Sequence, residues 1–400
     1  VSEAQQVSTR RWLIAAAVVL NLTVLGFFKY YGFFVEQLGD LLAMFGWQRD
    51  LPLLQIVLPV GVSFFTFQAI SYVVDVHRGD CRARSLLDVT LMMSFFPHLV
   101  AGPIVRGRDL LPQFDRAPKL SREMAAHGML LIIWGLFKKS VIASELSAGI
   151  VDTVFFDPTA YGPLDLLGAT YGYAVQIYCD FSAYSDMAIG IAALLGYRFP
   201  RNFDQPYRAT SLQDFWRRWH MSLSSWLRDY LYIPLGGSRG GLFKACRNLM
   251  ITMLLGGLWH GASWTFVAWG ALHGGVLTVE RLWKAAGRAS LPAIVGLIVT
   301  FHVVCLGWIL FRAERFELAV QFLQGFLAWD RPLQLLTPFL VGLIIVGLGL
   351  HALPPRLIEH VAQWSRRLPS PAFAAGLAIL FLIVEAMRPE GVAPFIYYQF

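Results

Sequence analysis

The stretch Leu249-Met250-Ile251-Thr252-Met253-Leu254-Leu255-Gly256-Gly257-Leu258-Trp259-His260-Gly261 runs on through further apolar residues to Trp283. A segment of this length and hydrophobicity is long enough to cross a bilayer, and it carries an ionisable imidazole. A titratable side chain is costly in hydrocarbon and faces a protein interior or a water-filled passage when it occurs there. His260 is therefore a candidate functional residue, and an all-α membrane protein is the expected fold.

Composition points the same way. Of 400 residues, 56% are hydrophobic and only 15% charged, against about 25% charged in soluble domains. Further apolar runs near Arg11–Phe34, Pro52–Val76, Met124–Ile150, Leu164–Tyr197, Leu291–Phe311, Pro332–Leu353 and Pro371–Met387 predict a polytopic bundle of transmembrane helices. The net charge of +7 would suggest nucleic acid in a soluble protein, but here Lys and Arg sit in short loops between apolar runs. No nucleic-acid partner is expected; membrane lipid is. Cys81, Cys179, Cys246 and Cys305 are widely spaced and predict neither a disulfide nor a metal site. No signal peptide is recognisable before Arg11, and a missing portion upstream of Val1 is expected. With no repeats or linkers, residues 1–400 read as one integral-membrane domain.

Loop charge predicts orientation. Between Arg198 and Arg247 lie Arg198, Arg201, Arg208, Arg217, Arg218, Arg228, Arg239, Lys244 and Arg247 against Asp204, Asp214 and Asp229. This places residues 198–247 on the cytoplasmic side, as an interfacial motif segment. Residues 151–163 carry Asp152 and Asp157 and no Lys or Arg, and should lie outside. The loops around Arg78, Arg82 and Arg84 and around Arg106, Arg108 and Arg116 both read as cytoplasmic, so the apolar run between them, broken by Pro97, Gly102 and Pro103, is expected to be re-entrant.

Within the cytoplasmic segment, Ser211 and Asp214 have capping-box spacing. Trp216, His220, Leu223, Leu227 and Leu231 then recur at helical intervals, which predicts one amphipathic interfacial helix from Thr210 to Leu235 with His220 on its apolar face. Gly236-Gly237-Ser238-Arg239-Gly240-Gly241 follows as a turn whose backbone N–H groups, with nearby cations, offer a weak phosphate-binding signal. His260 suits a general base, because an imidazole titrates near working pH and burial favours its proton-accepting form. The plainer alternative is an interhelical hydrogen bond, which is also the reading for His98, His273 and His302. Asp180 and Asp186 occupy different faces of one helix and read as partners for buried cations.

These motifs resemble, in order and across most of the chain, the membrane-bound O-acyltransferases, and more narrowly the bacterial branch of alginate O-acetyltransferase and teichoic acid D-alanyl transfer. The resemblance rests on Trp216-Arg217-Arg218-Trp219-His220, Leu227-Arg228-Asp229-Tyr230-Leu231-Tyr232-Ile233-Pro234, Gly256-Gly257-Leu258-Trp259-His260-Gly261 and Trp269-Gly270-Ala271-Leu272-His273-Gly274. Stretches 59–68, 95–104 and 394–400 add to it. It implies a ring of helices around a thin centre, in a bacterial inner membrane, with additional apolar helices upstream of Arg11. His260 would be the essential histidine and His220 the supporting one. An acyl thioester such as acetyl-coenzyme A would be the donor, with Arg217, Arg218, Arg228, Arg239 and Lys244 as candidate phosphate ligands. The acceptor would be an exported polysaccharide such as alginate, reached through a periplasmic partner. D-Alanyl transfer is the nearest alternative, and a proton-coupled transporter using His220, His260, Asp180 and Asp186 is the rival from another class.

Overall fold

The computed structural model describes residues 7–47, 61–99, 101–354 and 356–389, with Leu54, Ile56, Pro59 and Gly391. The start of the Pro52–Val76 run, Val100 of the 95–104 stretch and the closing 394–400 stretch lie outside the described residues. Among those described, regular structure is helical, with no strand.

The first apolar run becomes α1 (Val7–Met44) and the described part of the second α2 (Val62–Arg78). The expected re-entrant run, between the loops at Arg84 and Arg106, is α3 (Leu86–Ser94) and a short turn over Phe96–His98, and α4 (Gly107–Phe114) follows it. The loops on either side of this segment meet: Arg84, before α3, grips Asp115, after α4, through two hydrogen bonds of 2.5 and 2.6 Å. Gln113 exchanges two more with the backbone of Arg198, at 2.9 and 3.0 Å, so these loops and the 198–247 segment share one side.

Next comes α5 (Arg122–Leu136), which continues into wider π-helical turns over Phe137–Ala143 and Ser147–Val151. The long helix α6 (Pro163–Leu194) is buried along most of its length by protein, not lipid, which is how it tolerates Gln176, Asp180, Ser182 and Ser185. As expected from their spacing, Asp180 and Asp186 pair with buried cations: Lys139 (2.8 Å) and Lys138 (2.8 Å), both on the first π-helical stretch.

Two expectations need correcting. The segment predicted as a single helix from Thr210 to Leu235 is broken. Ser211 does cap α7 (Leu212–Arg218) by accepting from Asp214 N, but α7 ends there. His220 takes a left-handed backbone (φ 41°) before α8 (Met221–Leu227) begins, followed by a π-turn over Arg228–Tyr232. The second correction concerns the Leu249–Trp283 run. It is a tight hairpin of α9 (Leu242–His260) and α10 (Trp264–Ala285), broken where Ser263 caps the second helix by accepting from Thr265 N.

Glycine is what lets the two arms touch. A Cβ on Gly270 would stand 2.5 Å from the carbonyl oxygen of Met253 and 3.0 Å from Cα of Leu254. Both are backbone atoms, so relief requires the helices to part. Gly270→Ala is therefore expected to destabilise the protein by about 1–3 kcal/mol, visible as a lower melting temperature in detergent; an unchanged melt would refute the close packing.

The later helices are α11 (Ala293–Arg312), α12 (Phe316–Gly325), α13 (Pro338–Gly349), α14 (Leu357–Ser365) and α15 (Ser370–Met387). Thr9–Met44, Ala293–Arg312 and Ser370–Met387 are each long and apolar enough to cross a membrane. Their outer faces expose side chains such as Trp12, Ile294 and Leu382, as contact with lipid requires.

Candidate active site

Two hydrophobic cores meet at His260. One contains Phe64, Phe67, Trp226 and Trp259; the other contains Tyr173, Phe181, Phe215, Phe266, Trp269, Trp308 and Phe311. The imidazole of His260 sits between them, 5.0 Å from the ring of Trp259, 5.2 Å from Trp269 and 5.1 Å from Phe311. It is the last residue of α9 and only 6% exposed. Gly261 has no room for a side chain, because a Cβ there would run into the ring of Phe266.

A residue absent from the sequence argument fixes the backbone here. Lys29, from the middle of α1, donates to the carbonyls of Trp259 (2.5 Å) and His260 (3.0 Å), and Tyr30 donates to Leu258 O (2.7 Å). The last carbonyls of a helix have no partner within it, and the helix dipole favours a cation at this end. Nothing in the sequence spacing links residues 29 and 260.

His220 is fully buried, with its ring 4.6 Å from Phe181. Its Nδ1 lies 3.2 Å from Asn202 Oδ1, an atom that also accepts from Ser222 N and Ser222 Oγ. A backbone N–H only donates, so this atom is the amide oxygen and Nδ1 carries the hydrogen. Nε2 is then the lone-pair nitrogen, and it has no hydrogen-bond partner among the described residues. His220, Lys29 and His273 are the groups within electrostatic reach of His260. His220 and His260, predicted from separate motifs, are thus electrostatic neighbours.

His302 does bond between helices, to Tyr171 Oη at 2.9 Å. His273 does not: neither ring nitrogen has a hydrogen-bond partner among the described residues, contrary to expectation.

On the side of the 198–247 segment a cleft of about 730 Å³ opens between α7, α8, α9 and α10. Trp216, Leu249, Met253 and Leu277 give it an apolar interior, and Arg217, Arg228, Arg281 and Lys284 supply positive charge. Of the five basic candidates, Arg217 and Arg228 line it. Arg218 is instead tied to Asp214 at 2.9 Å, and neither Arg239 nor Lys244 lines the cleft, although Ser238 of the glycine-rich turn does. Arg281 and Lys284 were missed by sequence reasoning. They close α10, and Glu280 beside them accepts from the N–H groups of Leu212 (2.5 Å) and Gln213 (3.0 Å), which brings the end of α10 to the start of α7. His260 does not line the cleft. Trp216 stands in its wall, 5.6 Å from Trp269, which in turn touches His260.

The π-turn after α8 is held by Asp229, which takes hydrogen bonds from Arg106 (2.6 Å) and Arg228 (2.7 Å). Burial alone would raise the Asp229 carboxyl, but the bonds from Arg228 and Arg106 outweigh it and hold its pKa below the usual value. A depressed folded-state pKa stabilises the fold in full above the unfolded value of about 3.9 and loses that contribution as pH falls through the lower folded value. Melting temperature should therefore drop on acidification below about pH 4, and Asp229→Asn should flatten that part of the profile; parallel profiles would exclude the carboxylate as the sensor.

The family model for the membrane-bound O-acyltransferase family matches residues 83–319, which hold His220, His260 and the whole cleft. The chain belongs to this family. Among relatives, the "Probable alginate O-acetylase" of Azotobacter vinelandii is 39% identical over 98% of this chain and 85% of its own length. That of Pseudomonas aeruginosa is 46% identical over 78% of the chain, and the peptidoglycan O-acetyltransferase of Helicobacter pylori 39% identical over 79%. The chain spans 59% and 64% of these last two acyltransferases. Lys29 lies before the region that the family model covers.

Proposed function

We propose that this family member is a multi-pass inner-membrane O-acetyltransferase that moves an acetyl group from a cytoplasmic thioester to hydroxyls of an exported polysaccharide such as alginate, through a periplasmic partner. The observation that carries this reading is the cleft with positive charge around an apolar interior, whose wall is one tryptophan removed from a buried histidine pair. A thioester with a phosphate-bearing carrier, acetyl-coenzyme A being the simplest, would place its phosphates on Arg217, Arg228, Arg281 and Lys284 and its acyl end toward Trp216. His260 would take the proton of the acceptor hydroxyl as that oxygen attacks the thioester carbonyl. The bare Nε2 of His220 would orient His260 or the departing thiol. Asp180 and Asp186 face lysines instead of the histidine pair, so the transporter alternative gains no support from them.

The test is transfer of labelled acetyl from acetyl-coenzyme A to candidate acceptors by reconstituted protein; no labelled acceptor with any polysaccharide or partner would sink the reading. Within it, Arg217→Ala combined with Arg281→Ala should raise the donor KM by about 10²-fold or more, since each hydrogen bond to a charged group contributes about 1.5–3 kcal/mol. A short thioester lacking phosphates should be indifferent to the same change.

A further inference from the structure

Trp269 and His273, one turn apart on α10, are 1% and 0% exposed, yet Trp269 Nε1 and both ring nitrogens of His273 have no hydrogen-bond partner among the described residues. Buried polar atoms are nearly always satisfied, so three such atoms on neighbouring rings require an explanation. Their positions give one. A Cβ on Gly307 of α11 would stand 2.7 Å from His273 Nε2 and 3.5 Å from Trp269 Cδ1, the carbon bonded to Nε1, so the edge of the indole and the imidazole converge where that side chain is missing. One turn further along α11, Phe311 packs against His260, and the indole of Trp269 lies against the same imidazole. Trp216, in the wall of the cleft, touches both rings, at 5.6 and 5.3 Å. From the cleft wall, ring contacts therefore run through Trp216 to Trp269 and His273, and from Trp269 on to His260.

We propose that Trp269 Nε1–H, with His273 as a second donor, is the oxyanion site of the acyl transfer; this rests on the function proposed above. The acceptor oxygen bonds to the thioester carbonyl carbon, its proton passes to His260, and the C=O π pair moves onto oxygen, where the indole N–H receives it. The pair then returns, the C–S bond breaks, and the thiolate takes the proton back from His260 to leave as thiol. Indole suits the task because it donates only and cannot itself accept the proton.

Trp269→Phe keeps an aromatic ring and removes only the donor. Loss of one oxyanion donor typically costs about 10²–10³-fold in kcat, and the donor KM should stay within about twofold because the oxygen carries little charge in the ground state. Trp264→Phe, on the same helix but exposed and bonded to Gln37, serves as the control with wild-type transfer. Wild-type transfer and its loss in His260→Ala, measured in the same membranes, establish the underlying reading separately. With those in place, a folded Trp269→Phe that retains wild-type kcat overturns the proposal. If that variant does not reach the membrane, His273→Leu and His273→Gln decide instead. Gln keeps a donor and should transfer at least tenfold faster than Leu, since a full oxyanion contact contributes about 10²–10³-fold; equal rates would overturn it.

Discussion

Replacing His260 by alanine is expected to lower acetyl transfer by about 10²–10⁴-fold, the usual contribution of a positioned general base, while the protein still inserts and melts cooperatively. The side chain makes ring contacts with Trp259, Trp269 and Phe311 at the meeting of two cores, and removing it leaves those rings packed against other partners. The measurement is single-turnover transfer from labelled thioester at saturating donor, with donor binding followed in parallel. Retained transfer would remove His260 from the chemistry, whereas loss of transfer together with loss of donor binding would mean that the variant has collapsed the cleft.

Lys29→Met should also have a large effect, although Lys29 lies far in sequence from every motif. Its ammonium holds the carbonyls of Trp259 and His260, and those bonds set the direction in which α9 delivers the imidazole. A displacement of about 1 Å at a reacting group can cost about 10²-fold in rate, so a fall of that order in kcat is expected with donor KM unchanged. Lys29→Arg retains the charge and a donor and should recover part of the rate. If the methionine variant loses stability but keeps kcat, Lys29 only fastens α1 to the hairpin.

Much of the architecture was legible because hydrocarbon imposes a coarse rule that sequence obeys. Apolar runs mark α6, α11 and α15 within a few residues, while the run at Arg11–Phe34 stops well short of the end of α1, and hydrogen bonds join the loops flanking the broken run at Pro97–Pro103 to one another and to the 198–247 segment. The two helix breaks were illegible for different reasons. At Trp219–His220 no glycine or proline announces the turn, and a histidine adopts the left-handed backbone that such residues take only a few per cent of the time. At Gly261–Ser263 the signal was present, since Ser263 two residues before Thr265 is a helix-starting pattern, but the hydropathy of the surrounding run masked it. His220 and His260 could be named from their motifs. Lys29, Arg281 and Lys284 could not, because their roles depend on contacts between segments distant in the chain.

The glycine-to-backbone contact between α9 and α10 also bears on how turnover is paced. Two arms locked main chain to main chain have little freedom to tilt apart, so Trp269 is held nearly stationary. The short α7, which carries Trp216, is instead tethered at its start through the side chain of Glu280. On the transfer proposed above, entry of the donor toward His260 would be paced by movement of that one short element.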